Sequence, residues 1–230
     1  MLIDVAPAEV FGTNCWIVAD GPGSECLIVD PGITNPDHRA LIEPILNRHN
    51  LKPVASLLTH GHLDHTFSIE PLCDGYDIPA YIHPRDRALL ADPFKALMPG
   101  GPLIQLMSSM GRERFAEPSA VIEITDGMKL EIAGIQIAVL HAPGHTAGSI
   151  MFLLDNEDLL SGDVLFENGI GRTDLPTGND ATMRNSLREK ILTLDDQVIV
   201  HPGHGRETTI GRERKNSPYL QESYLKGGAV

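Results

Sequence analysis

Short apolar runs separated by turn residues set the rhythm of the chain. Residues 2–5, 15–19 and 26–29 read as strands, the last two joined through Gly21-Pro22-Gly23. Leu41, Ile42, Ile45 and Leu46 then recur at helical spacing. Asn35 as the cap and Pro36 in the first turn predict where that helix begins, and it runs to about Asn50. Apolar runs return at 54–58 and 80–82, with residues 67–72 predicted as a short helix between them. Residues 85–117 differ. A helical start at 85–91 gives way to Pro93, Pro99, Gly100, Gly101 and Pro102, which predicts an insertion or lid between core strands. Its Met98, Met107 and Met110 suit either an adaptable apolar surface or gaps in the core.

Strands resume at 120–124, 128–132 and 135–140, with turns at Asp126-Gly127 and Ala133-Gly134, and again at 150–154 and 158–160. A helix is predicted over 182–194, a last strand over 198–200 and a short tail over 205–230. Strands followed by a helix thus occur twice. That order predicts one α/β (α+β) domain over 1–230, with two mixed β-sheets packed together and helices outside.

Composition narrows the functional classes. A chain of 230 residues that is 42% hydrophobic can build one substantial core. A net charge of −13 argues against the basic stripe of a nucleic-acid binder. No apolar run approaches the roughly 20 residues that span a bilayer, so no membrane partner is expected. Met1-Leu2-Ile3-Asp4 lacks the positive start and apolar centre of a signal peptide. Cys15, Cys26 and Cys73 contain no C-x-x-C pair. The expected setting is the reducing cytoplasm, with the cysteines packed as small apolar residues.

The candidate chemistry is densest in Thr59-His60-Gly61-His62-Leu63-Asp64-His65, which follows the apolar run at 54–58. Imidazole nitrogens and carboxylate oxygens are ligands for zinc and similar metals. Residues two apart on an extended strand end point the same way, so His60 and His62 can grip one ion, while Asp64 and His65 reach a second. His145, Asp163 and His204 each follow a later apolar strand. If those strands share an edge, one ion takes His60, His62 and His145, and the other takes Asp64, His65 and His204. Asp163 then bridges both, as a carboxylate does in two-metal sites.

Together these motifs resemble the metallo-β-lactamase superfamily. They comprise the H-x-H-x-D-H run, Pro143-Gly144-His145-Thr146, Gly162-Asp163 after a strand, and Pro202-Gly203-His204-Gly205, with Thr13-Asn14-Cys15 and Asp30-Pro31-Gly32 before them. Residues 162–166 with 171–176, and 203–205 with 208–211, are similar to its compact glyoxalase II-like hydroxyacyl-thiol hydrolases. The resemblance implies an αββα sandwich with a dinuclear site at one edge. It implies a hydrolase that cleaves the thioester of a 2-hydroxy acid, such as lactoylglutathione, with a hydroxide shared by two divalent metal ions. Asp64 would bind metal and orient that hydroxide. Zinc is the first expectation for both ions, and iron or manganese also accept such ligands. The expected partner is a small-molecule thioester of glutathione or an equivalent thiol.

Two alternatives share these motifs. One is a persulfide dioxygenase with a single iron at the positions of His60, His145 and Asp163. The other is a lactone or other ester hydrolase on the dinuclear centre. Two departures from relatives also matter. Zinc β-lactamases of the common type place a cysteine where Asp163 stands. Longer glyoxalase II enzymes hold glutathione in a C-terminal helical domain, whereas 26 residues follow His204. The insertion is a candidate to replace that domain.

Arg172, Arg212 and Lys215 are candidate contacts to an anionic thiol carrier, although Arg172 can also pair locally with Asp174. Asp30 is a candidate to hold a ligating histidine by its other ring nitrogen, and His141 and His201 are further candidates for that task. His38 and His49 are expected in solvent, and His83 in a structural role.

Overall fold

The computed structural model describes residues 1–112 and 114–228. Glu113, inside the predicted insertion, and Ala229 and Val230, at the end of the predicted tail, lie outside the described residues.

The first half of the chain makes one sheet. Strands β1 (Leu2–Pro7), β2 (Asn14–Ala19) and β3 (Glu25–Val29) are antiparallel neighbours. Helix α1 (Arg39–His49) crosses to β4 (Lys52–Leu57), parallel to β3. Helices α2 (Leu63–Thr66) and α3 (Ile69–Tyr76) lead to β5 (Ala80–Ile82). Helix α4 (Pro84–Ala91), a 3-10 turn (Pro93–Ala96) and α5 (Pro102–Ser109) lead to β6 (Val121–Glu123), and both strands add in parallel.

The second half makes the other sheet. Strands β7 (Lys129–Ile132), β8 (Ile135–His141), β9 (Ile150–Leu154) and β10 (Asp158–Gly162) form an antiparallel meander. Helix α6 (Asp180–Ser186) and a π turn (Leu187–Ile191) cross to β11 (Ile199–Pro202), which is parallel to β10. A short antiparallel edge, β12 (Thr208–Thr209), precedes α7 (Ile210–Asn216) and α8 (Glu222–Leu225). Among the described residues the strand orders are β1-β2-β3-β4-β5-β6 and β12-β11-β10-β9-β8-β7.

Period-two alternation explains why these strands are apolar throughout. Trp16 and Val18 point inward with Leu27, Val29 and Leu57, against Ile137, Val139, Phe152 and Leu160 of the second sheet. Cys15, Ile17 and Ala19 point outward onto Ile42, Ile45 and Leu46 of α1 and Leu72 and Cys73 of α3. On the far side, Met151 and Leu153 pack under Met183, Leu187 and Ile191. Both faces of each sheet are therefore covered, and four layers result: helices, sheet, sheet, helices. Each large aliphatic side chain buried there contributes roughly 1.5–3 kcal/mol. The three cysteines are buried and unpaired within this packing. At the β7–β8 turn, Ala133 and Gly134 both have positive φ, 55° and 78°, as the tightest hairpin connection requires.

Several local expectations need correction. Helix α1 begins at Arg39, because the His38 N–H donates to Ser68 Oγ and the Asp37 carboxylate takes the Arg39 N–H. Asn35 and Pro36 stay in the preceding loop. The helix expected at 67–72 runs from Ile69 to Tyr76, and a separate short helix precedes it inside the histidine run. In the segment 85–117, Met107 fills a small core with Ile33, Leu63 and Phe67, while Met98 stays exposed. The stretch after His204 is folded: Leu220, Tyr224 and Leu225 pack on Met183 and Leu187.

His38, the residue before α1, is buried rather than solvated, because its ring lies against the Ala6 backbone of β1. His49 is half-buried and lies 3.1 Å from Asp4. Burial depresses His38 from its ordinary 6.5 to about 4. The unfolded chain therefore binds the extra proton between those values, so this contribution to stability is present above pH 6.5 and is lost as pH falls toward 4. Denaturant titrations of the metal-free protein at pH 7 and pH 5 are expected to differ by about 2 kcal/mol from this residue. His38→Gln should remove that part of the slope. An unaltered slope would place the titration elsewhere.

Candidate metal centre

Strand direction brings the candidate residues together. Because β8 and β10 both run antiparallel to β9, and β11 runs parallel to β10, their C-terminal ends share one edge. His145, Asp163 and His204 follow those three ends. The histidine run follows β4 in the facing sheet, where Ile150 N–H donates to the Thr59 carbonyl at 2.8 Å and ties the sheets. Asp64 and His65 project from the first turn of α2 rather than from a loop.

Two triads result. Ligand atoms of His60, His62 and His145 lie within 4.8 Å of one another, and so do those of Asp64, His65 and His204. His62 Nδ1 is 2.8 Å from His145 Nε2, and His65 Nε2 is 3.2 Å from His204 Nε2. Asp163 stands between the triads. Its Oδ1 is 3.4 Å from His65 Nε2 and its Oδ2 is 3.4 Å from His145 Nε2. His60 Nε2 and Asp163 Oδ1 are buried with no hydrogen-bond partner among the described residues. Orphaned buried polar atoms of this kind cost roughly 1–3 kcal/mol each. A cation among them satisfies them, so the donor set fits divalent metal by number, chemistry and convergence.

The charges point the same way. Burial and then repulsion from His65 and His145 hold His60 well below its ordinary range. Burial likewise takes His62 to about 3 and His145 to about 4, so both rings are neutral at pH 7, the state a metal ligand needs. For His65, burial opposes the charge, but Asp163, Asp64 and Asp30 together outweigh it and push the ring up to about 10. Burial raises Asp163, against the pull of His65 and His204. For Asp64, the pull of His65 and His204 overcomes burial and lowers the carboxyl. Converging carboxylates thus demand positive charge at this point.

A surrounding shell fixes the rings. The Asp30 carboxylate accepts from Thr59 N–H at 2.8 Å and Thr59 Oγ at 2.6 Å, and it lies 3.0 Å from His65 Nδ1. His145 Nδ1 is 2.7 Å from the Arg172 carbonyl, so Arg172 serves the centre through its backbone. Its guanidinium is paired with Asp174. Arg212 pairs with Glu167 and lies outside the cavity wall, as does exposed Lys215. His141 stacks on His83, with centroids 4.1 Å apart, and His201 is held by Asp158 and Glu207. Both serve the strands leading to the centre rather than the rings within it.

Two elements of that shell were not anticipated. Asp86 is fully buried and accepts from Gly61 N–H at 2.9 Å, Gly148 N–H at 2.8 Å and Thr146 Oγ at 2.6 Å. One carboxylate therefore joins the loops carrying His60, His62 and His145. Asp86 shares the buried face of α4 with Leu89 and Leu90, and an acid at that spacing is the signal available in the sequence. The other element is Asn14, whose Nδ2 donates to the Pro202 and Gly205 carbonyls, both at 3.0 Å. It braces the loop of His204 and gives the early Thr13-Asn14-Cys15 motif a role.

A family model described as the metallo-β-lactamase superfamily matches residues 8–204. The chain belongs to that superfamily. That superfamily consists mostly of hydrolytic enzymes, and the histidine clusters of this chain suit divalent metal. An uncharacterized protein of Mycobacterium tuberculosis is 41% identical over 228 residues, covering 96% of this chain and 98% of that one. A hydroxyacylglutathione hydrolase of Haemophilus influenzae is 36% identical over 229 residues, with 96% and 98% covered. Among solved structures, a B3 metallo-β-lactamase aligns with a TM-score of 0.79 at 32% identity, covering 95% of this chain and 99% of that one. A protein crystallised in a di-iron-bound form aligns with a TM-score of 0.75 at 30% identity, covering 96% and 100%. Among the described residues no helix is long and apolar enough to cross a membrane.

Proposed function

We propose that the protein is a thioester hydrolase acting on a 2-hydroxyacyl ester of a low-molecular-weight thiol. The observation that carries this reading is the pair of triads with Asp163 between them, at the floor of an open cavity. His60, His62 and His145 would hold one divalent cation and Asp64, His65 and His204 a second, with Asp163 shared and zinc the first choice for both. Such a pair supplies a water acidified to near neutrality and Lewis acidity for the carbonyl oxygen.

The chain's own residues do the rest. Asp64, kept ionised beside His65 and His204, faces the cavity and accepts a hydrogen bond from the attacking water. Asp30 and the Arg172 carbonyl keep His65 and His145 in fixed orientation through the reaction. The similarity to the Haemophilus influenzae hydroxyacylglutathione hydrolase supports the thioester class.

Metal content and a substrate screen test the reading together. Purified protein is expected to carry two transition metals per chain and to cleave lactoylglutathione or simpler lactoyl thioesters. Activity should vanish on chelation and return on adding cation. One iron per chain, rapid oxygen uptake with glutathione persulfide and no thioester cleavage would instead establish the dioxygenase. Turnover confined to lactones would move the protein to that ester class.

A further inference from the structure

The cavity over the triads has a volume of about 690 Å³. His62, Asp64, His145, Asp163 and His204 form its polar floor. Its walls are apolar: Phe11 and Phe166 stand beside His204, and Leu97, Met98, Leu103 and Ile104 come from the connection into α5 and its first turn. The one guanidinium or ammonium among the described lining residues is Arg172, and Asp174 occupies its Nε and Nη2 at 2.7 Å each. The folded segment after His204 contributes nothing to the wall, because its apolar residues pack on the far side of the second sheet. A glutathionyl arm brings carboxylates that would meet no free cation on this wall, and desolvating an unpaired carboxylate is costly. A hydrocarbon arm loses nothing by the same move.

On the thioester reading above, we propose that the unreactive arm of the substrate is an apolar chain or ring, selected by Leu97, Met98, Leu103 and Ile104. The arm belongs to the acyl group or to the thiol, and the two require the same wall. Metal-loaded enzyme and two ester series separate them. In one series the acyl group lengthens from acetyl to hexanoyl on N-acetylcysteamine. In the other a lactoyl group is fixed and the thiol runs from N-acetylcysteamine to benzyl mercaptan, with glutathione as the charged comparison.

Each methylene that reaches the wall is expected to raise kcat/KM about three- to fourfold. The apolar esters should exceed lactoylglutathione by about tenfold or more, the gain from two such methylenes. In the double variant Met98→Ser with Ile104→Ser, the dependence on chain length should flatten. Preference for lactoylglutathione over every apolar ester, or no dependence on length in either series, overturns the proposal. Absence of all thioester cleavage defeats the hydrolase reading separately. The wall is then judged by calorimetry with butyrate to octanoate, where tighter binding with length upholds an apolar ligand and constant affinity rejects it.

Discussion

Gly203→Ala is expected to strip the protein of metal and reduce kcat/KM by about a hundredfold or more, the cost of a misplacement near 1 Å. An added Cβ would lie 2.3 Å from Asp163 Oδ1 and 2.7 Å from His65 Cε1. Neither neighbour can retreat. His65 is locked to Asp30, and Asp163 sits between both triads. The loop cannot retreat either: Gly203 N–H donates to the Gly162 carbonyl at 2.9 Å, and Asn14 N–H donates to the Gly203 carbonyl at 2.7 Å. Something at the centre must therefore move. Metal retained after dialysis against graded chelator is the direct measurement. Gly21→Ala, where nothing lies within 4 Å of the added atom, is the control. Full metal retention with unchanged kcat/KM in Gly203→Ala would mean that the loop is softer than its paired backbone bonds imply.

Asp30→Ala should cost about 3–5 kcal/mol of stability, the range for breaking a buried charged pair. It should also lower metal affinity about 10- to 100-fold, as loss of a ligand's orienting partner does. The carboxylate is buried and serves three donors at once, and all three would be left without it. The backbone adds to the loss, because Asp30 has φ of 53°, a left-handed conformation that aspartate and asparagine tolerate better than alanine. Asp30→Asn isolates the charge.

In metal-free protein the ring of His65, raised to about 10, stabilises the fold below pH 6.5 and loses that contribution as pH rises through 10. The wild type should therefore weaken across that window and Asp30→Asn should weaken less. Equal urea midpoints for Asp30→Ala and wild type would contradict the role given to this carboxylate.

Much of this centre was legible before any coordinates. Strands buried on both faces read as continuous apolar runs, and four of the strands end at a histidine or aspartate motif, so the four clusters announce both the sandwich and its edge. What escaped was set by three-dimensional contact. His38 carries no mark that separates a buried imidazole from a solvated one at the start of a helix. Arg172 invited a reading from its charge, whereas its carbonyl does the work on His145. The segment after His204 reads as a short tail because its few apolar residues, Leu220, Tyr224 and Leu225, are spaced across short turns and not along one helix. Gly171 and Gly203 stood in visible motifs, but only their surroundings explain them. A Cβ at 171 would sit 2.2 Å from the Asp163 carbonyl and 2.7 Å from His145 Nδ1.

Each sheet is built from an unbroken stretch of chain, β1 to β6 and then β7 to β12. The turn between Glu123 and Lys129 is thus the one covalent joint between two self-contained pleated layers. Four of the seven candidate ligands, His60, His62, Asp64 and His65, follow the first sheet, and three, His145, Asp163 and His204, follow the second. Cations held across that seam would act as rivets beside the apolar packing between the layers, so metal supply would add to their cohesion as well as enable chemistry.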